Sequence, residues 1–220
     1  MSSTESKRIA VVTGGNKGIG YETVRGLAKS GKFERIYLTA RNEKCGVDAA
    51  NTLCKEESTD RIHYHSLDIT NTTSIITFAE FLKTEHNGLD VLVQNAGVLF
   101  DQKSTVSVED QARKTIETNF WGTLNVMKNL ADMVKPNGRI VLVSSVLSHT
   151  AQFDFKPHWF INPIAKKLNA INKKVALETI EQLATQYTLD VQNGNKDNGW
   201  PSHAYGISKL LVNNITRVYA

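Results

Sequence analysis

The chain of 220 residues has little of what builds a disulfide-stapled, collagen-like or membrane-spanning protein. It contains only two cysteines and four prolines, and aromatic residues make up 8% of it. Cys45 and Cys54 lie nine positions apart in one predicted helix, so their thiols face opposite sides and cannot bridge. A chain without a disulfide framework is typical of a reducing compartment, and we therefore expect a cytoplasmic protein.

Long apolar runs and basic runs are missing as well. Residues 1–8 are mostly polar, and the first apolar run, Ile9 to Val12, is too short for a signal core or a membrane span. The formal net charge of +4 is spread along the chain, without a basic run that alternates with aromatic residues. We expect neither a membrane nor a nucleic acid as partner, whereas the slightly basic surface suits a phosphate-bearing small ligand.

What the chain does have is the composition of a globular protein, with 40% hydrophobic and 22% charged residues. Its length suits one domain, whose core is large enough to be stable without a metal.

His63 and His65 share one face of a predicted strand, but no third ligand stands at a suitable spacing. We therefore expect no metal site.

Short apolar runs alternate with longer amphipathic stretches through the first two thirds of the chain. The predicted strands are Arg8 to Thr13, Arg35 to Ala40, Ile62 to Leu67, Leu89 to Val93 and Arg139 to Val143. The predicted helices between them are Gly18 to Ser30, Glu43 to Glu57, Thr73 to His86 and Glu109 to Val134. This alternation predicts an α/β fold, a Rossmann-like doubly wound parallel sheet with helices on both faces.

The pattern changes after Ser145. An aromatic and proline-bearing stretch over 153–163 precedes a helical segment over 175–187, and a polar loop over 193–199 follows. The aromatic stretch is equally consistent with a cap over a hydrophobic substrate and with a satellite core. The last predicted element is a helix from Ala204 to Ala220.

A glycine-rich segment lies between the first predicted strand and the first predicted helix. Its sequence over 13–20, Thr-Gly-Gly-Asn-Lys-Gly-Ile-Gly, spaces the glycines as Gly-x-x-x-Gly-x-Gly. Glycines there permit a tight turn and a close approach of the backbone to a pyrophosphate, and the helix N-terminus offers free N–H groups to the anion. We interpret the segment as a nucleotide-binding loop, and a glycine-rich turn without a ligand is the alternative.

Tyr205 and Lys209 are four positions apart in the last predicted helix, so their side chains share one helix face. An ammonium beside a phenol favours the phenolate, which makes the phenol a better proton donor and acceptor near neutral pH. Taken alone, such a pair is more often an ordinary helix surface. Ser145 follows a strand end, where open α/β sheets bind ligands, and together with the glycine loop it favours a catalytic pair.

These segments together resemble the short-chain dehydrogenase/reductase family. The loop over 13–20 has the family's spacing, Asn95-Ala96-Gly97 closes the fourth predicted strand, and Tyr205 and Lys209 form the family's Tyr-x-x-x-Lys pair. Gln94 departs mildly, since the family usually has asparagine there.

The resemblance implies roles for single residues. Ser145 would orient and polarise the substrate carbonyl, and Asn119, otherwise a polar break in an apolar helix, would hold a water that relays protons to the lysine. The implied catalytic set is Tyr205, Lys209, Ser145 and Asn119, of which Ser145 and Tyr205 also touch the substrate. The implied cofactor-binding residues are Gly14, Asn16, Lys17, Gly18, Ile19, Gly20, Arg41, Asp68, Ile69, Asn95, Ala96, Gly97, Tyr205 and Lys209, with Asp68 near the adenine ring.

Three segments narrow the resemblance to the carbonyl reductase branch. They are the loop over 13–20, Leu-Thr-Ala-Arg over 38–41, and Gly-Trp-Pro-Ser-His-Ala-Tyr over 199–205. The long separation of Ser145 from Tyr205 resembles an insertion found in monomeric members. We therefore expect a monomer with one domain over 1–220, an insertion at about 147–203, and no C-terminal part of the usual fold, so that part of the substrate pocket is missing.

The charge after the second predicted strand favours NADPH over NADH. An NAD-binding chain usually has an acidic residue there, which holds the ribose 2′-hydroxyl. Here Arg41 stands in that place and Lys17 lies in the glycine loop, and two cations suit a 2′-phosphate. Glu43 is the acidic alternative, but it opens the next predicted helix, where an acid also suits the dipole.

The sequence thus predicts an NADPH-dependent reductase of a ketone, aldehyde or quinone, with Tyr205 as the proton donor. One alternative is a module that binds the cofactor, or pairs with another subunit, without turnover, and the missing part of the pocket motivates it. A nucleotide-sugar epimerase or dehydratase shares the Tyr-x-x-x-Lys pair, but such enzymes usually keep Gly-x-x-Gly-x-x-Gly in the loop.

Overall fold

The computed structural model describes residues 8–101, 103–148, 176–195, 200 and 204–220. Much of the insertion predicted at about 147–203, including the aromatic stretch over 153–163, lies outside the described residues. Contacts divide the chain into two compact units, one within 1–96 and 125–143 and the other within 97–124 and 144–220.

The first unit is a parallel β-sheet with helices on both faces. Its strands are β1 (Ile9–Thr13), β2 (Arg35–Ala40), β3 (Ile62–Ser66), β4 (Leu89–Gln94) and β5 (Val134–Leu142). Its first helices are α1 (Gly18–Lys29), α2 (Glu43–Glu56) and α3 (Thr72–His86). All four strand pairings are parallel in the order β3-β2-β1-β4-β5, so the predicted Rossmann-like doubly wound sheet is confirmed. The chain order reverses at β1 and β4, where open α/β sheets bind ligands at the carboxyl ends of the strands.

Successive strand residues fill two apolar cores, one on each face of this sheet. On one face Val12 belongs to a buried cluster with Val24 of α1 and Leu53 of α2. On the other face its neighbour Val11 belongs to a cluster with Phe78 of α3. Side chains alternate between the two faces of a strand, so the apolar run of β1 contributes to both cores.

The long helix predicted from Glu109 to Val134 is wrong at its C-terminal end. The chain is helical through α4 (Val108–Thr115), a π-helical segment (Ile116–Gly122) and α5 (Thr123–Leu130), and a 3₁₀ turn (Ala131–Met133) ends it. Val134 instead begins β5, where it pairs with Leu89 of β4. This pairing explains the early end, because a strand partner distant in sequence overrides the local helical pattern. The strand predicted from Arg139 therefore starts earlier and accommodates 135–138 as a bulge opposite Asp90.

The second unit is helical. Besides α4 and the π-helical segment it contains a 3₁₀ turn (Val146–Ser148), α6 (Leu177–Gln192) and α7 (Ala204–Tyr219). Tyr187 of α6 meets Trp200 edge to face, with 5.1 Å between the ring centroids, and Trp200 Nε1 donates to Asp190 Oδ2 at 2.7 Å. Ile180 and Leu183 of α6 are buried, so the apolar stripe of this helix packs within the unit.

Cys45 and Cys54 are both free thiols within α2, as the spacing predicts. In the part of the chain that the structure describes, no helix is long and apolar enough to cross a membrane. In the same part, three or more histidine, cysteine or acidic side chains nowhere come together as a metal site.

Two histidines near the edge strand β3 have a pKa below the ordinary histidine value. Arg35 Nη1 donates to His63 Nε2, and a guanidinium can only donate, so that ring nitrogen carries no proton. Burial and the charge of Arg35 lower the pKa of His63. Burial also lowers the pKa of His86, whose Nε2 lies 2.6 Å from the Tyr37 hydroxyl.

We expect the free energy of unfolding to fall as the pH drops below about 6.5, the ordinary histidine pKa. The folded pKa is the lower one, so the unfolded chain takes up the proton first and the native state loses stability through that window. Urea unfolding at pH 7.5 and pH 5 measures the loss. In His63→Gln, whose amide oxygen can still accept from Arg35, the difference between the two pH values should shrink. An unchanged difference would exclude His63 as a source of the acid sensitivity.

Candidate active site

The glycine-rich segment connects β1 to α1 in the first unit. Gly14 has a φ of +63° and Gly18 a φ of +57°, left-handed backbone that favours glycine. Asn16 lies half-buried between them. A Cβ on Gly20 would lie 2.4 Å from both the Gly14 carbonyl oxygen and the Asn95 side-chain nitrogen. The packing around Gly20 therefore leaves no room for a side chain at this position.

Thr13, the last residue of β1, ties this loop to the end of β4. Its Oγ1 accepts from the backbone N–H groups of Asn95 and Ala96, each at 3.0 Å. Asn95 Nδ2 donates in turn to the carbonyl oxygens of Thr13 and Gly14, each at 3.1 Å. These bonds fix Asn95 and Ala96 against the glycine loop. Thr13 was not among the predicted site residues, and the signal that could have found it is a polar residue closing an apolar strand.

The first turn of α1 is open to an anion. Among the described residues no side chain caps it, whereas Asn42, Asn71 and Ser107 cap α2, α3 and α4. Its N-cap residue is Lys17, and both Lys17 and Ile19 are exposed. Free N–H groups, the positive end of the helix dipole and a nearby ammonium all favour a pyrophosphate. The residues present thus fit a dinucleotide.

Arg41 and Asp68 follow the carboxyl ends of the neighbouring strands β2 and β3. Gly15 N donates to a carbonyl of β2 at 2.9 Å, which holds the glycine loop beside the strand that leads to the exposed Arg41. Asp68 Oδ1 accepts from the N–H and the hydroxyl of Thr70, at 2.9 and 2.7 Å, and Ile69 is buried. Parallel strands present their carboxyl ends at one edge, so a cation and an ordered acidic turn lie at the edge that the glycine loop occupies.

Tyr205 and Lys209 lie one turn apart on α7 in the second unit. Lys209 Nζ is 5.7 Å from the centroid of the Tyr205 ring. Lys209 is only 5% exposed, and this burial lowers the pKa of its ammonium. A Cβ on Gly97 would lie 3.8 Å from Lys209 Nζ and 3.0 Å from Asn119 Oδ1, so glycine leaves both polar groups room. The arrangement sets a buried amine beside a half-buried phenol.

Asn119 lies in the middle of the π-helical segment and is 1% exposed. Its Oδ1 accepts from Val98 N at 2.7 Å, and its Nδ2 donates to the Val98 carbonyl at 2.9 Å and to Ser208 Oγ at 3.0 Å. Ser208 Oγ donates onward to the Tyr205 carbonyl at 2.7 Å. The Asn119 amide therefore links the segment after β4 to the helix that carries Tyr205. Sequence reasoning missed Ser208, since nothing in its pattern distinguishes it.

Ser145 follows β5 in sequence and belongs to the second unit. Its Oγ accepts from Leu147 N at 3.2 Å, and among the described residues its hydroxyl has no acceptor, so its proton stays available to donate to a ligand. Ser144 Oγ instead donates to the Lys209 carbonyl at 3.2 Å. The two adjacent serines therefore have different roles. Ser144 attaches the segment after β5 to α7, whereas the hydroxyl proton of Ser145 remains available to a ligand.

Comparison with known sequences identifies relatives over nearly the whole chain. Residues 8–157 match the family model of the short chain dehydrogenases. Carbonyl reductase [NADPH] 1 of Bos taurus is 36% identical over 223 residues, which cover 99% of this chain and 75% of that protein. Carbonyl reductase [NADPH] 1 of Homo sapiens is 37% identical over 213 residues, covering 96% and 73%.

Solved structures agree with the sequence comparison. Menthone neomenthol reductase from Mentha piperita matches with a TM-score of 0.83 at 29% identity, over 97% of this chain and 84% of that one. Salutaridine reductase from Papaver somniferum matches with a TM-score of 0.83 at 27% identity, over 96% and 81%. With the glycine loop, the sheet order and the Tyr205 and Lys209 pair already described, the chain belongs to the short-chain dehydrogenase/reductase family.

Proposed function

We propose that this chain reduces the carbonyl group of a ketone, aldehyde or quinone to an alcohol, with Tyr205 as the proton donor. The chain is an NADPH-dependent oxidoreductase of its family, like the carbonyl reductases [NADPH] that it resembles. The observation that carries the proposal is the buried Lys209 ammonium beside the Tyr205 phenol, with Asn119 and Ser145 in the same compact unit.

The cofactor would be held by residues of the first unit. The uncapped turn of α1 and the backbone of the glycine loop suit the pyrophosphate, and Arg41 and Lys17 suit the 2′-phosphate. Asp68 and Ile69 would lie at the adenine ring, and Asn95 and Ala96 complete the proposed set in this unit. The remaining proposed cofactor-binding residues, Gly97, Tyr205 and Lys209, belong to the second unit. When bound, NADPH supplies the hydride that reduces the carbonyl carbon.

Residues of the chain itself would donate the proton and bind the carbonyl oxygen. The Tyr205 hydroxyl donates its proton to the carbonyl oxygen, and the neighbouring charge of Lys209 stabilises the phenolate that remains. Burial lowers the pKa of Lys209, so this amine gives up a proton more readily than an exposed lysine does. The Ser145 hydroxyl, which keeps its proton, donates to the same carbonyl oxygen and polarises it.

Asn119 supports this set by position. Both protons of its amide and one lone pair are engaged with Val98 and Ser208. We propose that it contributes to the proton relay by fixing these neighbours of Tyr205 and Lys209, with little of its side chain left for a water.

We also propose that the protein is a cytoplasmic monomer. Sedimentation of the purified chain would measure its mass in solution.

The proposal is tested by the loss of NADPH absorbance in the presence of the purified chain and isatin or a quinone. We expect oxidation that depends on the carbonyl compound, and a preference for NADPH over NADH of about tenfold or more. That ratio corresponds to one charged hydrogen bond to the 2′-phosphate. Binding of NADPH without carbonyl-dependent oxidation would overturn the proposal in favour of a binding module.

A further inference from the structure

Asn213 continues the row of catalytic side chains on α7. Tyr205, Lys209 and Asn213 are spaced four residues apart, so they lie on one face of the helix over two turns. The half-buried Asn213 side chain donates from Nδ2 to Ser148 Oγ at 2.8 Å. None of the roles derived above uses this bond.

Ser148 connects Asn213 to Ser145 through hydrogen bonds. Its side chain is buried, and its hydroxyl, which accepts from Asn213, donates to the Ser145 carbonyl. The N–H of Ser148 donates to the same carbonyl at 3.0 Å, and Leu147 N donates to Ser145 Oγ at 3.2 Å. Both the backbone and the hydroxyl of Ser145 are thus held by the 3₁₀ turn that Asn213 anchors.

A second bond fixes the same segment one helical turn away. Ser144 Oγ donates to the Lys209 carbonyl at 3.2 Å. The stretch 144–148 is therefore attached to α7 at Lys209 and at Asn213, on either side of Ser145 in sequence. Two attachments to one rigid helix determine where the Ser145 hydroxyl lies relative to the Tyr205 phenol.

We propose that Asn213 and Ser148 are positioning residues for the reaction, which set the Ser145 hydroxyl relative to Tyr205 through this chain of hydrogen bonds. The inference rests on the proposed function, in which both hydroxyls act on one carbonyl oxygen. A displacement of about 1 Å at a catalytic group can cost as much as a hundredfold in rate. A bond that holds the group in place therefore contributes to kcat without touching the cofactor.

Asn213→Leu tests the proposal, because leucine has a similar size and cannot donate. We expect kcat to fall by about 10- to 100-fold while the Kd for NADPH stays unchanged, and Ser148→Ala to behave alike. In a Ser145→Ala background, Asn213→Leu should cost no more than about a further twofold, because its effect passes through Ser145. Asn129→Leu is the matched control, since within the described part of the chain the Asn129 amide bonds only to the Asn125 carbonyl of its own helix.

Amide hydrogen exchange gives a readout that does not need turnover. Exchange at Leu147 and Ser148 should become faster in Asn213→Leu and stay unchanged in Asn129→Leu. Unchanged exchange in Asn213→Leu would overturn the positioning role of Asn213 and leave the proposed mechanism in place. A loss of kcat in Ser145→Ala that Asn213→Leu does not share would do the same. If Ser145→Ala itself leaves kcat unchanged, the proposed mechanism is overturned and the inference falls with it.

Discussion

Tyr205→Phe should lower turnover with NADPH and a carbonyl substrate by about a thousandfold, the range in which a positioned general acid contributes. Phenylalanine keeps the ring that lies beside Lys209 Nζ and removes only the hydroxyl that we propose as the proton donor. The Kd for NADPH and the thermal midpoint should therefore stay close to those of the parent. Steady-state rates, a fluorescence titration with NADPH and thermal unfolding measure the three quantities.

Tyr219→Phe is the matched control for this variant. Tyr219 lies on the same helix, α7, and is 39% exposed, far along the helix from Tyr205. The same atom is removed in both variants, so a loss confined to Tyr205→Phe identifies the proton donor. If Tyr205→Phe keeps turnover within a factor of two, the mechanism proposed for Tyr205 is wrong.

Strands β1 to β4 and most helix ends could be predicted from local sequence. The apolar run of β1 indicates a strand buried on both faces, and Asn42 and Asn71 mark the starts of α2 and α3 as side-chain caps. The junction of α5 and β5 could not be predicted from periodicity, because the pattern continues to Val134. Val134 instead pairs with Leu89 of β4, a contact distant in sequence that overrides the local helical pattern.

The candidate site divides in the same way. The spacing of Tyr205 and Lys209 is local and determines their shared helix face, so the sequence alone was sufficient for that pair. The contact of Asn119 with Ser208 joins residues 89 positions apart, and no local pattern carries that information. The chain from Asn213 to Ser148 likewise spans 65 positions. Such polar contacts depend on how helices pack, which hydrophobic periodicity does not specify.

Gly20→Ala should weaken NADPH binding by roughly ten- to a hundredfold and destabilise the fold by about 2 kcal/mol. The added methyl would lie 2.4 Å from the Gly14 carbonyl oxygen and from Asn95 Nδ2. Backbone must move to relieve this overlap, and the backbone that moves belongs to the proposed pyrophosphate site. The affinity loss corresponds to one or two hydrogen bonds to a charged group. Titration with NADPH and urea unfolding measure the two effects.

Gly26→Ala makes the same chemical change six residues further along α1 and should have the opposite effect on stability. A Cβ on Gly26 would meet nothing within 4 Å, and the position is exposed in the helix interior. Alanine there should stabilise the fold by about 0.5–1 kcal/mol, because glycine has the larger conformational entropy to lose. NADPH affinity should not change. Since both variants lie on one helix, a loss of affinity in Gly26→Ala as well would mean that α1 responds as a whole, and would contradict a site formed by the close packing of the loop at Gly20.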